Sequence, residues 1–445
     1  MPVILWTDAL FLLVLLGPAL LLPAIRNREP FIRPWRSVLA SGTARASLVI
    51  LSAFLLIGLA DSIHYRPADP GGTDPDEIIS LLDRWLDGPR HHSEKTYSEP
   101  LAAYAHTREA VTDAAGATAW LYPRLQYGGR HLQDPERERW PDIRRRVGWG
   151  LLKASLLAGL LWAITQRLHR RNKPERPSAA AARITLLLLC LLTGVVAELA
   201  NDYHVLGTDK VGEDVLYQSL KSVRTGLLMG ILTTVATLPL ALGLGVMAGY
   251  FRGWVDDVIQ YVYTTLNAIP GVLLIAAAML IMQAWMGRYD ASLTSLAVRA
   301  DLRLLALCLI LGLTNWTGLC RLLRAETLKL REMDYVQAAR ILGVSTPRIL
   351  LRHILPNLFH LVLISLALDF SSLVLAEAVL SYVNIGVDPA TYSWGNMINS
   401  ARLEMAREPV VWWSLAAAFV FMFSLVLAAN LFADAVRDAF DPRRN

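Results

Sequence analysis

Cysteine is nearly absent from this chain. Only Cys190, Cys308 and Cys320 occur in 445 residues, each in or beside an apolar run and none at a metal-ligand or redox spacing. That excludes a disulfide framework and a cysteine-based zinc site. There is no HExxH, no GxSxG and no Cys-x-x-Cys, so the common metalloprotease, hydrolase and dithiol chemistries have no sequence to rest on. The nearest approach to a phosphate loop runs from Gly207 to Gly212, but Glu213 and Asp214 follow where Lys and Ser or Thr would have to hold phosphate and magnesium. This chain is not expected to bind ATP itself. His91-His92 has no further ligands at metal spacing and reads as a solvated loop pair, so no metal and no cofactor are expected.

Charge is scarce as well. Charged residues make up 18% of the chain, against about 25% in soluble domains. Hydrophobic residues make up 54%, gathered in blocks, and the mean hydropathy is +0.39. The composition describes an all-α, polytopic membrane protein. The net charge of +5 does not point to nucleic acid, because the arginines sit beside apolar blocks instead of forming one stripe. A hydrocarbon layer of about 30 Å needs about 20 apolar residues per helix. Segments of that kind lie near 3–25, 45–63, 147–166, 183–200, 224–250, 258–285, 302–320, 357–382 and 410–433, about nine spans. The first lacks a basic leader and a cleavage site, and Arg26, Arg28, Arg33 and Arg36 follow it, so it reads as a retained helix, not a signal peptide. Pro270-Gly271 and Pro239 are expected to kink their spans.

Between two of these spans the stretch Asp334 to Pro356, DYVQAARILGVSTPRILLRHILP, is polar and basic. Asp334 with Gln337 resembles a capping box, and Tyr335, Ala338, Ala339 and Leu342 recur at helical spacing. Gly343 then suits a left-handed helix exit, and Thr346-Pro347 suits the start of a second helix. The excess of arginine and lysine over 321–356 marks a cytoplasmic loop. Counting back by parity puts 26–44, 167–182 and 251–257 inside and 64–146, 201–223 and 286–301 outside. Arg144-Arg145-Arg146 is the exception, left on the outer side. Residues 64–146 mix charges with Pro, Gly and scattered aromatics, and read as a small external domain, helical in part.

The spacing Ala338-Ala339, Gly343 and His353-Ile354-Leu355-Pro356 resembles the EAA loop of ABC-importer permeases, with Gln337 in place of the usual glutamate. The resemblance extends further. HVLGTDKVGEDVL at 204–216 is similar to a motif of dipeptide and oligopeptide importer permeases, with Val205 for proline and Glu213 for arginine. GYFRGWVDD at 249–257, AIPG at 268–271, LAEAVLSYVNIG at 375–386, SWGNM at 393–397 and AVRDAFDPR at 435–443 also fit. Asn384 stands where the family usually has glycine, an exchange a left-handed backbone would allow. The likeness covers the C-terminal half and more. The first 180 or so residues depart from it, with three helices where the family usually has one before its external segment.

The resemblance implies a type I ABC-importer permease core over 201–445. It would be preceded by N-terminal helices over 1–63, an external insert over 64–146 and additional helices over 147–200. It implies that Asp334, Gln337, Ala338, Ala339, Gly343 and Pro356 couple the chain to a separate cytoplasmic ATPase. It further implies a second permease subunit, a periplasmic solute-binding protein and a bacterial inner membrane, with peptides as the substrate class. Ionisable groups inside spans face a cavity or a partner more often than lipid, so Asp369 and Glu377 are the first candidates for a translocation path, with Asn267 and Asn315 as weaker ones. Gln283 and Thr317 belong with the latter, since helix-to-helix hydrogen bonds explain such residues equally well. Two other classes compete: a secondary transporter using Asp369, Glu377, Glu198 and Lys153, for which inverted repeats are not visible, and a receptor whose 64–146 segment binds a ligand.

Overall fold

The computed structural model describes residues 2–25, 29–66, 78–112, 118–169, 177–288 and 296–440. The basic residues Arg26 and Arg28, part of the inner loop expected over 167–182 and the end of the 435–443 motif lie outside them. Apolar blocks of this length can satisfy their backbone only as helices, and helices dominate. The chain begins with α1 (Trp6–Ile25), α2 (Glu29–Val38) and α3 (Gly42–Ser62). Two short helices follow, α4 (Leu81–Trp85) and α5 (Asp87–His91), and then α6 (Pro135–His169), α7 (Pro177–Leu199), α8 (Val215–Phe251), α9 (Trp254–Ala268) and α10 (Gly271–Arg288). The last are α11 (Leu296–Arg331), α12 (Asp334–Ile341), α13 (Thr346–Ile349), α14 (Leu355–Tyr382), α15 (Trp394–Glu404) and α16 (Trp413–Phe440).

The 64–146 segment holds almost all of the strand structure. Its strands β2 (His64–Tyr65) and β3 (Ile79–Ser80) form an antiparallel sheet with β1 (Pro2–Val3) from the start of the chain, in the order β1-β2-β3, with Pro2 opposite Tyr65 and His64 opposite Ser80. A separate hairpin pairs β4 (Glu109–Thr112) with β5 (Thr118–Leu121).

Six helices among the described residues are long and apolar enough to cross a membrane: Gly42–Ser62, Ala180–Leu199, Val215–Phe251, Gly271–Arg288, Thr346–Tyr382 and Trp413–Phe440. These correspond to six of the nine expected spans. Of the other three, 147–166 and 302–320 fall within α6 and α11 and 3–25 overlaps α1, but none is among the six. The span expected over 258–285 is two helices, because Pro270 cannot donate an amide to the helix before it and disfavours helical geometry in Ile269, which is extended (φ −89°, ψ 130°). Pro239, in contrast, sits inside α8 without ending it.

The chain divides into two compact units. One comprises Met1–Val3, Arg36–Gly226 and Tyr392–Leu431; the other comprises Ile4–Trp35, Leu227–Thr391 and Phe432–Asn445. In the first, α6 packs on α7 and α7 on α3. Small residues let α6 and α7 approach closely: a Cβ on Gly194 would stand 2.6 Å from Ala154 Cβ, and one on Gly150 would stand 2.9 Å from Gly194 O. The stems of this helical hairpin meet where Gly129 N–H donates to Asp202 O at 2.8 Å, over a core of Leu132, Ile143, Leu199 and Tyr203. The arginine run at 144–146 is largely offset here. Asp142 accepts from Arg145 (2.8 Å), Arg146 (2.7 Å) and Tyr203 OH (3.0 Å), and Arg146 also pairs with Asp202. Burial opposes the charge on Asp142, but Arg146, His131 and Tyr203 together pull its pKa down to about 2.

The core of the second unit is built from α8, α9, α11 and α14 with α12 and α13 against it, around Trp316, Leu319, Leu323, Val336, Ile349 and Ile354.

Candidate functional site

In the second unit, α11 ends at Arg331, and Met333, in extended conformation (φ −70°, ψ 142°), stands at the N-cap of α12. The capping box expected from Asp334 and Gln337 does not form, because the cap falls one residue earlier. Asp334 is already helical, and the Gln337 amide donates to Arg331 O (3.2 Å) and Glu332 Oε2 (3.3 Å). At the other end Gly343 has φ +74°. Its N–H donates to Arg340 O and that of Val344 to Ala339 O, both at 3.1 Å, a Schellman-type closure that answers the last carbonyls. Ser345, not Thr346, is the N-cap of α13, and one π-helical turn, Leu350–Ile354, joins α13 to α14, with Pro356 in the first turn of the latter.

The short helix has two faces. Val336 (2% exposed) and Ala339 (8%) are buried in the unit's own core, whereas Ala338, Ile341 (85%) and Leu342 (81%) face outward. Tyr335, Ala338, Ala339 and Leu342 therefore do not share one face as their spacing suggested. Val336 had been missed, although it stands three residues before Ala339 and marks the inward stripe. Side chains from the 249–257 motif and its neighbours seat the loop. Arg331 donates to Tyr250 O at 2.7 Å, and Arg324 grips both oxygens of Asp256 at 2.6 Å. That guanidinium holds the Asp256 carboxyl below the usual carboxylate range against the opposing effect of burial. Asn357 Nδ2 donates to Tyr335 OH at 3.0 Å. A Cβ on Gly249 would meet Thr327 Cβ at 2.6 Å, so glycine permits the close approach there.

Halfway along α8, α11 and α14, the same unit contains a cavity of about 210 Å³. Thr234, Thr237, Asn315, Asp369 and Ser372 supply its polar lining, and Leu366 and Leu373 are among its apolar walls. Of the four path candidates the structure brings Asp369 and Asn315 to this cavity. Asn267 instead accepts from Thr317 Oγ1 at 3.0 Å, and Glu377 is 2% exposed and accepts from Ser381 Oγ at 2.8 Å. Eight residues along a helix turn through a net angle of roughly 80°, enough to give Asp369 and Glu377 different surroundings. Lys153 and Glu198 pair with each other at 2.7 Å between α6 and α7. A carboxylate at the centre of a bilayer costs about 2.5–3.5 kcal/mol even on the lenient insertion scale, which gives the lining of Asp369 by polar groups its significance.

In the first unit the 204–216 motif is bound to the 64–146 segment, which sequence reasoning did not foresee. His204 is 2% exposed, with Nδ1 at 2.8 Å from Asp214 and Nε2 at 3.4 Å from Glu94. Burial disfavours the imidazolium, but the hydrogen bonds to Asp214 and Glu94 prevail and push its pKa up to about 9. Ser98 N–H donates to Thr208 Oγ1 (2.7 Å), Glu94 N–H to Gly212 O (2.9 Å) and Trp413 Nε1 to Thr208 O (2.8 Å). Gly212 has φ +80°, and a Cβ there would lie 1.8 Å from Glu94 O. His92, half of the histidine pair, stacks on Tyr127 with ring centres 4.6 Å apart.

Residues 241–445 match the family model described as binding-protein-dependent transport system inner membrane component. The chain is 31% identical over 239 residues to the oligopeptide transport system permease protein OppC of Mycobacterium tuberculosis, covering 54% of this chain and 76% of that protein. It is 31% identical over 292 residues to the glutathione transport system permease protein GsiD of Pectobacterium atrosepticum, covering 62% and 89%. Over 243 residues it is 29% identical to the dipeptide transport system permease protein DppC of Lactococcus lactis, covering 55% and 65%.

Proposed function

Because this chain belongs to the family of binding-protein-dependent transport system inner membrane components, it is a permease of an ATP-driven importer, and we propose that peptides are what it passes and that loop 321–356 is where a separate ATPase takes hold. It is a multi-pass inner-membrane protein and a transport component, not an enzyme. ATP is hydrolysed on other subunits, and a solute-binding protein belongs to the same system. The peptide assignment draws on relatives named for oligopeptide, dipeptide and glutathione transport. A second, related permease completes the pathway, and 64–146 lies on the periplasmic side.

One observation carries the coupling assignment. On α12, Ala338, Ile341 and Leu342 are presented outward on a helix whose other face, Val336 and Ala339, is fixed in the core. A rigid apolar knob of this kind at the end of α11 transmits a push to the spans. The secondary-transporter reading loses its support, since Glu377, Glu198 and Lys153 have partners within the chain.

The test is reconstitution with the partner permease, the ATPases and the binding protein in proteoliposomes. ATP-dependent accumulation of labelled di- to pentapeptides is expected. Failure with all of them, alongside uptake of another solute, overturns the peptide assignment. The double variant Ile341→Glu/Leu342→Glu should insert normally yet lose the ATPase on purification, and wild-type retention would remove the loop from the interface.

A further inference from the structure

The cavity among α8, α11 and α14 is lined by three polar groups that no side chain or backbone group among the described residues engages. Among the described residues no group donates to the Asp369 carboxylate: Ser372 Oγ, its neighbour, donates to the Asp369 backbone oxygen at 2.8 Å. The side chain of Asn315 makes no hydrogen bond there either. Thr234 Oγ1 is buried and has no partner. The other two lining hydroxyls are occupied, Ser372 Oγ by the bond just given and Thr237 Oγ1 by donating to Thr233 O at 2.9 Å. Buried polar atoms are nearly always hydrogen-bonded, so the Thr234 hydroxyl asks for an occupant, and the exposed Asp369 carboxylate and Asn315 amide border the same cavity.

The chemistry of the three groups defines that occupant. A carboxylate accepts only, a threonine hydroxyl accepts as readily as it donates, and the asparagine amide offers an oxygen. Among the described residues no basic side chain lines the cavity. A group with several N–H donors and one positive charge satisfies all three, and a primary ammonium has three such donors. The cavity, at about 210 Å³, is smaller than the roughly 300–1,000 Å³ of sites that enclose a drug-sized molecule, so it holds one end of a solute while the remainder extends away. It lies at the mid-length of three long helices, two of them, α8 and α14, apolar enough to cross a membrane: Thr234 within Val215–Phe251, Asn315 within Leu296–Arg331 and Asp369 within Leu355–Tyr382. Transporters hold their substrates near this depth.

We propose that this cavity binds the ammonium group of the transported solute, with Asp369 as its counter-charge and Thr234 and Asn315 as hydrogen-bond acceptors. On the peptide reading above, on which the identity of the solute rests, that group is the amino terminus. The site then favours peptides with a free amino end over blocked ones at the permease itself, before and apart from any choice made by the binding protein.

The experiment uses the assembled importer in nanodiscs without its binding protein, and equilibrium binding of labelled dialanine, N-acetyl-dialanine and putrescine. Wild type should bind dialanine at least tenfold more tightly than its N-acetyl form. Asp369→Asn should abolish that preference, Asp369→Glu should keep most of it, and Thr234→Val should weaken dialanine severalfold with the complex still intact by size exclusion. Equal binding of free and blocked peptide by wild type, or an undiminished preference in Asp369→Asn, overturns the site. Loss of the partner permease from Asp369→Asn also overturns it, since the carboxylate then serves assembly. Binding of putrescine that depends on Asp369, without binding of dialanine, upholds the ammonium site and overturns the peptide reading. Peptide uptake by the complete wild-type system with no Asp369-dependent binding of any amine does the reverse.

Discussion

At the scale of single residues, Gly343 and Ala338 separate two effects that sequence alone merges. A Cβ on Gly343 meets nothing within 4 Å, so a side chain there is resisted by its φ of +74° and not by crowding. Asparagine tolerates that conformation, whereas a β-branched residue pays about 1–2 kcal/mol or more. Gly343→Asn should therefore retain ATPase binding, and Gly343→Val should lose much of it in co-purification. Ala339→Glu would disturb the chain's own core, while Ala338→Glu alters only the outward face; thermal stability should fall in the first and stay level in the second. His204 makes a pH prediction. Its pKa is raised from the ordinary 6.5 to about 9, so the stability it contributes is complete below about 6.5 and is lost as pH rises through 9, at most about 3 kcal/mol. Glu94 acts in the opposite sense. Burial raises its pKa, but His204 and the amides of Gln126 and Tyr127 bring it below the ordinary value, so its contribution disappears on the acid side. Melting of the purified protein should decline between pH 6.5 and 9, and His204→Gln should flatten that decline.

At the scale of elements, the α6–α7 hairpin depends on its small residues. Gly194 faces Ala154 Cβ at 2.6 Å and Gly150 O at 3.0 Å from where its own Cβ would be, whereas a Cβ on Gly148 meets nothing. Helices in lipid gain their association from this kind of close packing. Gly194→Leu should cost about 1–3 kcal/mol, seen as a lower midpoint in a thermal shift in detergent and faster proteolysis of the hairpin. Gly148→Leu is the matched control and should leave both unchanged. Equal behaviour of the two would mean that the crossing does not hold the hairpin.

At the scale of the whole molecule the testable quantity is topology. Ser93 is exposed in the 64–146 segment, and Ala338 is exposed on α12. The native thiols are poor competitors, with Cys308 and Cys320 buried and only Cys190 partly accessible. In a Cys190→Ala background, Ser93→Cys should react with an impermeant thiol reagent in intact spheroplasts, and Ala338→Cys only after lysis. Labelling of both in intact cells, or of neither until lysis, would overturn the parity that places them on opposite sides.

The helical, membrane-spanning character of the chain was legible in the sequence, because a run of about 20 apolar residues has only one way to satisfy its backbone in hydrocarbon. The turn at Gly343 and the left-handed Asn384, with φ 60°, were legible for a similar reason: few residue types accept that geometry. The break at Pro270 follows from a missing N–H. What spacing could not decide was which neighbour each side chain meets. It gave Ala338 and Ala339 one role, and packing separated them into an outer and an inner face. It treated Asp369 and Glu377 as a pair, and the helix turn left one lining a cavity and the other bonded to Ser381. His204, read only as part of a motif, stands between two carboxylates, Asp214 and Glu94, the second of which lies 110 residues away in sequence. Periodicity and backbone preference act over a few residues and can be read along the chain, whereas burial, counter-charges and cavities are set by residues distant in sequence and exist only once the helices are packed.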